Sequence, residues 1–375
     1  MKVLITGANG FVGKNLQLHL SERKDVEVVC FTRSQDVAQL PDLMRGVGFV
    51  FHLAGVNRPQ DSQEFTTGNA VLTQALCHAV CNVAAATGKT VPIICTSSTQ
   101  ATRDNLYGRS KLAAEGALQA AARSHGVPVH IFRLPNVFGK WCKPNYNSAV
   151  ATFCYNIARG LPIQVNDPAA PVTLVYVDDV IARFVQLLDG ADADTGVDGF
   201  ASVSPQYTTS VGELARQIQA FKDSRFTLMT ERVGAGLVRA LYSTYVSYLP
   251  VEDFTYTVPR YADPRGVFAE MLKTPDCGQF SFFTAHAGIT RGGHYHHTKT
   301  EKFLVIKGQA RFKFRHMQTG QTHELVTTGN KSEVVETVPG WTHDITNIGA
   351  DEMIVMLWAN EVFDRQRPDT FACAV

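Results

Sequence analysis

The sequence has 375 residues, enough for two domains that each bury a core. Hydrophobic residues make up 45% of it and charged residues 18%, as in ordinary soluble globular proteins. The formal net charge of +1 creates no long-range field for polyanions, so we predict no nucleic-acid partner.

Targeting and redox signals indicate a cytoplasmic protein. The N-terminus has no charged region followed by an apolar region and a cleavage site, so we predict no signal peptide. No uninterrupted apolar stretch approaches the roughly 20 residues that span a bilayer, so we predict no membrane partner. The eight cysteines are scattered without a CxxC pair, which is typical of free thiols in a reducing compartment.

The first part of the chain alternates predicted strands with predicted helices. The strands cover residues 2–6, 26–31, 48–55, 91–98 and 127–133. The helices cover residues 11–22, 70–87, 107–126 and 210–221, and residues 172–190 read as a strand followed by a helix. Ser210 is the predicted N-cap of the 210–221 helix, with Glu213 three residues further on. This alternation predicts an α/β fold with a doubly wound parallel sheet of the Rossmann type.

The pattern changes near residue 245. The stretch "YLPVEDFTYTVPRYADPRG" (248–266) is rich in proline and tyrosine and has little helical periodicity, which is typical of a linker. Short β-rich runs follow it, such as "EKFLVIKG" and "MIVMLWA", and they indicate a β-sandwich or a small barrel. We therefore predict a nucleotide-binding domain over residues 1–245 and an all-β domain over residues 246–375.

The stretch "TGANGFVG" (6–13) places Gly7, Gly10 and Gly13 between a predicted strand and a predicted helix. Glycines there let the backbone turn tightly and approach a pyrophosphate, while the helix N-terminus offers N–H groups and a positive dipole end. A tight turn without a ligand is the alternative. The strand–turn–helix context favours dinucleotide binding.

The end of the second predicted strand indicates which dinucleotide is bound. A carboxylate that holds the ribose hydroxyls often stands there, but this chain has Thr32-Arg33-Ser34. Arg33 could hold a 2′-phosphate instead, which favours NADPH. In the alternative, Arg33 is merely solvated and Asp36 contacts the ribose.

Tyr107 and Lys111 stand four residues apart at the start of a predicted helix and so share one of its faces. An ammonium close to a phenol lowers the pKa of the phenol, and such a tyrosine can protonate a carbonyl oxygen as hydride arrives. Ser97, Ser98 and Thr99 end the preceding strand on the side where ligands bind in open α/β sheets.

Together these residues resemble the extended short-chain dehydrogenase/reductase family, in its nucleotide-sugar branch. The matching stretches occur in the family's order over residues 1 to 190: "TGANGFVG", "VFHLAG", the serines at 97–98, "YGRSK", "RLPNVFG" and "VYVDDV". The resemblance implies that Tyr107 is the acid/base, that Lys111 orients the ribose, and that Ser98 or Thr99 holds the substrate oxygen. Eight residues separate Ser98 from Tyr107, fewer than is usual in that branch. The implied cofactor-binding residues are Gly7, Gly10, Phe11, Val12, Gly13, Arg33, Leu53, Ala54, Lys111 and Pro135.

A histidine-rich stretch, "RGGHYHHTKTEKFLVIKG" (291–308), lies in the all-β part. Residues two apart on a strand point to the same face, so His294 and His296 are expected to project together. Glu301 and His343, which follows a Pro-Gly turn, could complete a site for a divalent metal. An exposed histidine cluster without a ligand is the alternative.

The spacing of this stretch resembles the two signature motifs of the cupin superfamily, a small double-stranded β-barrel. The matching residues are Gly288, His294, His296, Glu301 and Gly308, followed by Pro339-Gly340, His343 and Asn347. The resemblance implies a metal, zinc first, held by His294, His296, Glu301 and His343. If the strand is regular, His297 faces the other way. "RGGHY" also resembles a stretch of metal-free cupin sugar epimerases, in which that histidine removes a proton beside a ketone. His294 is therefore either a ligand or a base.

As a whole, the chain resembles the bifunctional capsule and O-antigen enzymes on the route to UDP-N-acetyl-L-fucosamine. That resemblance implies a UDP-linked 4-keto-6-deoxy-N-acetylhexosamine substrate. The cupin would epimerise C3, and the reductase would use NADPH to reduce C4, giving UDP-N-acetyl-6-deoxy-L-talosamine. Two alternatives stay open: a cupin that serves only dimerisation and stability, and a non-catalytic NADP-dependent sensor. Cupin barrels often pair, and the apolar strand at 353–358 would suit a homodimer interface.

Overall fold

The structure is a computed structural model that describes the chain except residues 194, 197, 264, 265, 270, 273, 275–277 and 362–365. Side chains are also not described for residues 260–263, 266–269, 279 and 281. The predicted linker at 248–266 therefore lies partly outside the described residues. By compactness, the chain divides into a first unit (1–137 with 173–208) and a second unit (138–172 with 209–375). The predicted domain boundary between residues 245 and 246 stays a prediction.

The helices and strands are numbered along the chain. The helices are α1 Phe11–Ser21, α2 Leu40–Leu43, α3 Gln63–Phe65, α4 Leu72–Thr87, α5 Leu106–His125, α6 Ala149–Ala158, α7 Val177–Leu188, α8 Val211–Thr227 and α9 Gly236–Val246. The first eleven strands are β1 Lys2–Thr6, β2 Glu27–Phe31, β3 Val47–His52, β4 Ile93–Ser98, β5 Val129–Leu134, β6 Asn136–Phe138, β7 Pro171–Tyr176, β8 Tyr207–Ser210, β9 Thr255–Thr257, β10 Arg260–Asp263 and β11 Gly266–Ala269. The others are β12 Gln279–Ala285, β13 Thr290–Tyr295, β14 Glu301–Lys307, β15 Gln309–His316, β16 Thr322–Thr328, β17 Glu333–Glu336, β18 Trp341–Asn347, β19 Met353–Ala359 and β20 Phe371–Ala372.

The first unit contains a five-stranded parallel sheet in the order β2-β1-β3-β4-β5. Helices cover both faces: α4 and α5 bury Leu76 and Leu118 in one core cluster, and on the other face the ring of Phe184 (α7) lies 5.1 Å from that of Phe132. This confirms the doubly wound α/β fold. The strand order reverses between β1 and β3, and a ligand crevice forms at such a switch point, beyond the carboxyl ends of the strands.

The helical run Gln63–Thr87 is long and apolar enough to cross a bilayer, judged by length and composition alone. It consists of α3, a π-helical turn over Thr66–Val71, and α4. On α4, Leu76, Cys77 and Val80 belong to the core cluster of the parallel sheet, which accounts for the apolar composition of the run.

The second unit contains two five-stranded antiparallel sheets, in the orders β12-β19-β14-β17-β9 and β16-β15-β18-β13-β20. Aromatic rings meet between them: the ring of Phe303 on β14 lies 5.7 Å from that of Phe312 on β15. This confirms the predicted all-β cupin barrel. Strand β20 has only two residues, too few to carry an alternating pattern in the sequence.

Helices α8 and α9 belong to the second unit, where α8 begins after Ser210, whose side chain accepts the N–H of Glu213 as predicted. A buried charge network joins these helices to the barrel. Glu336 pairs with Lys302 on β14 and, at 3.1 Å, with Arg225 on α8, and it accepts a hydrogen bond from Tyr242 on α9. Burial alone would raise the pKa of Glu336, but the two cations lower it, so the buried carboxylate stays ionised and paired.

Candidate active site and metal centre

The glycine turn between β1 and α1 leaves no room for a side chain at Gly7 or Gly13. Gly7 has φ +70°, and a Cβ there would lie 2.6 Å from the backbone nitrogen of Ala54. A Cβ on Gly13 would lie 2.4 Å from the carbonyl oxygen of Gly7. The turn after β1 therefore lies directly against Leu53 and Ala54, which follow β3, and these predicted cofactor-binding residues meet at the switch point of the sheet.

Helix α1 begins at Phe11, with Gly10 as an N-cap that has no side chain to satisfy the first backbone N–H groups. Phe11 and Val12 form its first turn and are half-buried. A helix start of this kind presents N–H groups and a positive dipole end to an anion. The arrangement is suited to the pyrophosphate of a dinucleotide.

The turn after β2 carries Arg33 and Asp36. Arg33 is exposed. The carboxylate of Asp36 accepts the backbone N–H of Ala38 at 2.9 Å and caps the short 3-10 helix Val37–Gln39. Asp36 thus already has a structural role, and the guanidinium of Arg33 reaches solvent beside the carboxyl end of β2.

Tyr107 and Lys111 lie in the first two turns of α5, where Asn105 caps the helix by accepting the N–H of Gly108 at 2.7 Å. A Cβ on Gly108 would lie 2.2 Å from the carbonyl oxygen of Arg103 and 2.6 Å from that of Gln100. The start of α5 is thereby pressed against the 3-10 turn Thr99–Thr102, which follows β4. This contact brings Tyr107 to the same edge of the sheet as Ser98.

The side chain of Lys111 is buried beneath this edge, and its ammonium donates to the carbonyl of Thr96 at 3.2 Å. A Cβ on Gly55 would lie 2.8 Å from that ammonium nitrogen, so a larger residue there would displace it. Asn69, in the π-helical turn, accepts the N–H of Val56 at 2.8 Å and so holds the backbone next to Gly55. Gly55 is the last residue of the family-like stretch "VFHLAG", whereas no motif in the sequence pointed to Asn69.

His52, the last residue of β3, lies fully buried between Thr6 and Thr73, with 2.7 Å from each ring nitrogen to a threonine hydroxyl. Burial, and then the nearby charge of Lys111, lowers the pKa of His52 to about 3. His52 is therefore a neutral spacer that hydrogen-bonds the sheet to α4. It carries no imidazolium charge at neutral pH.

The two serines at the end of β4 have different partners. Ser97 is buried and donates to Glu115, and Arg133 holds the same carboxylate through Nε at 3.0 Å and Nη2 at 2.6 Å. Ser98 accepts the N–H of Gln100 at 3.1 Å, which uses an oxygen lone pair and not the hydroxyl proton. Ser98 can thus still donate to a substrate oxygen. Pro135 follows β5 next to Leu134, whose Cα pairs with that of Ser98.

In the second unit, the predicted metal ligands converge. His294 on β13 stands opposite His343 on β18, His296 follows the end of β13, and Glu301 opens β14. The four residues offer ligand atoms that all lie within 4.8 Å of one another. The Nε2 atoms of His296 and His343 lie 3.1 Å and 3.6 Å from Oε2 of Glu301.

The charge states of these side chains suit a cation. Burial, and then the neighbouring His343 and His296, lowers the pKa of His294 to about 4, so its imidazole is neutral at neutral pH. Burial likewise lowers the pKa of His343. Burial alone would raise the pKa of Glu301, but the imidazoles of His296 and His343 hold it well below its usual range. Two neutral imidazoles and an ionised carboxylate therefore face one point.

The hydrogen bonding at this point is incomplete without a cation. Both ring nitrogens of His343 are buried and make no hydrogen bond with the described part of the chain. Nδ1 of His296 lies 2.6 Å from the carbonyl oxygen of Asp369, which can only accept, so this nitrogen carries the proton. Nε2 of His296 then faces the Glu301 carboxylate and needs a second proton or a shared cation. A three-histidine, one-carboxylate set fits zinc or a similar divalent ion.

Two further side chains, those of His297 and Lys299, lie next to the four-residue cluster in the sequence. The ring of His297 packs on Tyr295 and Phe371, with centroids 5.5 Å and 5.0 Å away, and His297 is not one of the four converging residues. Nζ of Lys299 lies 3.6 Å from Oε1 of Glu301. Neither Lys299 nor Asp369 was anticipated from the sequence, since neither is part of a spacing motif.

Comparison with known proteins agrees with both halves. Residues 3–198 match the NAD dependent epimerase/dehydratase family, and residues 261–371 match the polysaccharide biosynthesis C-terminal domain. A curated protein of Pseudomonas aeruginosa, UDP-2-acetamido-2,6-beta-L-arabino-hexul-4-ose reductase, is 62% identical over 375 residues, covering 100% of this chain and 99% of its own.

Solved structures show the same division. The capsular polysaccharide assembling protein CapF of Staphylococcus aureus is 40% identical, with 100% of both chains covered and a TM-score of 0.65. The UDP-glucuronic acid 4-epimerase of Bacillus cereus, solved with NAD, is 19% identical and covers 59% of this chain and 84% of its own, with a TM-score of 0.52. The latter likeness supports the fold alone.

Proposed function

The chain belongs to the NAD dependent epimerase/dehydratase family, and on that premise we propose that it is a bifunctional nucleotide-sugar enzyme of capsule or O-antigen synthesis. Its substrate is a UDP-linked 4-keto-6-deoxy-N-acetylhexosamine. The cupin barrel epimerises C3, and the parallel-sheet domain reduces the C4 ketone with NADPH to UDP-N-acetyl-6-deoxy-L-talosamine. The 62% identity to a UDP-hexulose reductase supports the substrate class.

One observation carries the bifunctional proposal: four ligand atoms converge within 4.8 Å in a chain that also has a Tyr107/Lys111 pair. Three histidines and a glutamate aimed at one point support a second site beside that of the reductase. The test is to follow two activities of the purified chain separately on the ketosugar: C3 proton exchange without NADPH, and NADPH oxidation.

The reductase step needs a hydride and a proton, and bound NADPH would supply the hydride to C4. The phenol of Tyr107 gives its proton to the C4 oxygen as negative charge develops there. The hydroxyl of Ser98 donates a hydrogen bond to the same oxygen, and the ammonium of Lys111 holds the cofactor ribose. The glycine turn and the start of α1 bind the pyrophosphate.

We expect Arg33→Ala to raise the KM for NADPH by about 10- to 100-fold and to leave the KM for NADH unchanged, because a charge-assisted contact to the 2′-phosphate is lost. Initial rates with both cofactors measure this. Arg45→Ala, which removes another exposed arginine of the first unit, is the matched control. The alternative predicts two other results: the unchanged chain would use NADPH and NADH equally well, and Asp36→Ala would weaken NADH binding. Together they would show that Asp36 holds the ribose.

At the cupin, a bound divalent ion would act as a Lewis acid on the C4 ketone. His294, His296, Glu301 and His343 would hold that ion, and His294 is the least buried of the four. The ketone acidifies the C3 proton, so a base outside the four ligands can take it, and delivery of a solvent-derived proton to the other face inverts C3. Reduction of the ketone then removes the cause of this acidity, so C3 of the inverted sugar can no longer revert.

One observation favours a second candidate, a plain reductase whose cupin serves dimerisation. Phe280 and Phe282 are 47% and 72% exposed on β12, an edge strand of its sheet. Apolar side chains so exposed on a sheet edge favour a partner, and a homodimer fits either function. C3 exchange separates the two candidates. The described cysteines are all unpaired, which favours a cytoplasmic location.

A further inference from the structure

We propose that Asp369 is a positioning residue of the cupin metal centre, through which the C-terminal tail (residues 366–375) fixes the ring of His296. The inference rests on the proposed function, because it takes the His294, His296, Glu301 and His343 cluster to hold a divalent ion. Asp369 lies 73 residues beyond His296 in the sequence, outside both cupin-like motifs.

The main chain of Asp369 sets the tautomer of His296. Its carbonyl oxygen lies 2.6 Å from Nδ1 of His296 and keeps the ring proton on that nitrogen. The lone pair of Nε2 is then directed to the cluster, 3.1 Å from the carboxylate of Glu301. A metal-bound histidine ordinarily depends on such a bond from its other nitrogen, which fixes both ring orientation and basicity.

The side chain of Asp369 closes the turn that joins two ligands. Oδ1 accepts the backbone N–H of His297 at 2.9 Å, and Oδ2 accepts those of Thr298 at 2.9 Å and Lys299 at 2.7 Å. Oδ2 also accepts the hydroxyl of Thr298 at 2.9 Å. Three successive N–H groups around one carboxylate form an anion nest. That nest spans the residues directly between His296 and Glu301.

The tail is itself tied to the strands that carry the other ligands. β20 pairs with β13, where Ala372 stands opposite His294, and the N–H of Cys373 donates to Gly293 at 2.8 Å. The hydroxyl of Thr342, the residue before His343, donates to the carbonyl of Cys373 at 2.5 Å. The tail thus contacts β13, β18 and the 297–299 turn, and it determines where Asp369 lies.

Without the Asp369 carboxylate, the N–H groups of 297–299 lose their acceptor in a largely buried site, and the turn must move to find others. His296 lies one residue before this turn and would lose its fixed contact with the Asp369 carbonyl. Loss of an outer partner of this type lowers metal affinity by roughly 10- to 100-fold. We expect that loss for Asp369→Ala.

The test uses the full chain, with Zn²⁺ as the probe and a chromogenic chelator as competitor. Asp369→Ala removes the acceptor, and Asp369→Asn keeps its size but replaces one oxygen by an NH2 group that cannot accept. Both should bind Zn²⁺ about 10- to 100-fold more weakly than the unchanged chain. Asp351→Asn, at an exposed aspartate of the same unit, is the matched control and should change nothing.

A second readout separates positioning from folding. Long-range ¹H–¹⁵N NMR of the metal-free chain should show His296 protonated on Nδ1, and the Asp369 variants should show a mixture of tautomers. A lower unfolding temperature with unchanged Zn²⁺ affinity of the folded protein and an unchanged tautomer would overturn the inference. If the unchanged chain itself binds no Zn²⁺, the proposed metal is wrong, and the tautomer alone then decides whether Asp369 positions His296. Should Asp369→Ala not fold, Asp369→Asn carries both readouts.

Discussion

Tyr107→Phe should lower the rate of NADPH-dependent ketosugar reduction by about 10²- to 10⁴-fold, the usual contribution of a positioned general acid. The substitution removes only the phenol oxygen from a half-buried ring that packs 5.8 Å from that of Phe65, so the fold should be unaffected. Single-turnover oxidation of NADPH measures the loss. C3 proton exchange, which belongs to the other domain in this proposal, should continue at the unchanged rate.

Tyr155→Phe is the matched control, because it removes the phenol oxygen from another half-buried tyrosine, on α6. It should reduce the ketosugar normally. Full turnover by the Tyr107→Phe chain would remove Tyr107 from the chemistry and would favour a sensor or scaffold that binds NADP without using it.

Glu301→Gln should abolish C3 exchange and weaken Zn²⁺ binding by at least about 100-fold, since the only charged member of the proposed ligand set becomes neutral. The amide keeps the shape of the side chain. Because Glu301 is buried, water cannot easily take the place of the lost carboxylate ligand. Isothermal titration with Zn²⁺ and NMR of the sugar measure the two effects. Reduction of a substrate whose C3 is already inverted should proceed normally.

Glu352→Gln, at an exposed glutamate before β19, is the control for the loss of one negative charge from the same barrel. It should bind Zn²⁺ as the unchanged chain does. If Glu301→Gln exchanged C3 at the normal rate, a bound ion would have no part in epimerisation, and His294 acting as a metal-free base would be the better account.

Local spacing predicted much of the architecture. The glycine turn, the Tyr107/Lys111 pair and the four cupin-like ligands are each encoded within short stretches, and the structure brings the four ligands together. His294 and His296 do lie together as predicted, but not for the predicted reason of strand alternation. Strand β13 is interrupted by Gly292 and Gly293, with φ +95° and +70°, and it ends at Tyr295, so regular strand alternation does not place the two rings.

Contacts between residues far apart in the chain could not be predicted in this way. Gly55 is restricted by Lys111, Ser97 is occupied by Glu115, and His296 is fixed by Asp369. Each of these contacts depends on how strands and turns meet in three dimensions, and no periodic pattern in the sequence indicates them. The different partners of Ser97 and Ser98 show the consequence, because these adjacent identical residues differ only in their tertiary contacts.

The central claim is that one ketone serves both domains: it acidifies C3 for the cupin, and the reductase then removes it. The most direct test follows the C3 proton of the UDP-linked 4-keto-6-deoxy sugar by NMR in D2O, with the purified chain and without NADPH. The account predicts that the C3 signal disappears, and that it persists with His294→Ala. An unchanged C3 signal, from a protein that still oxidises NADPH when it is added, would contradict the account and leave a reductase with a structural cupin.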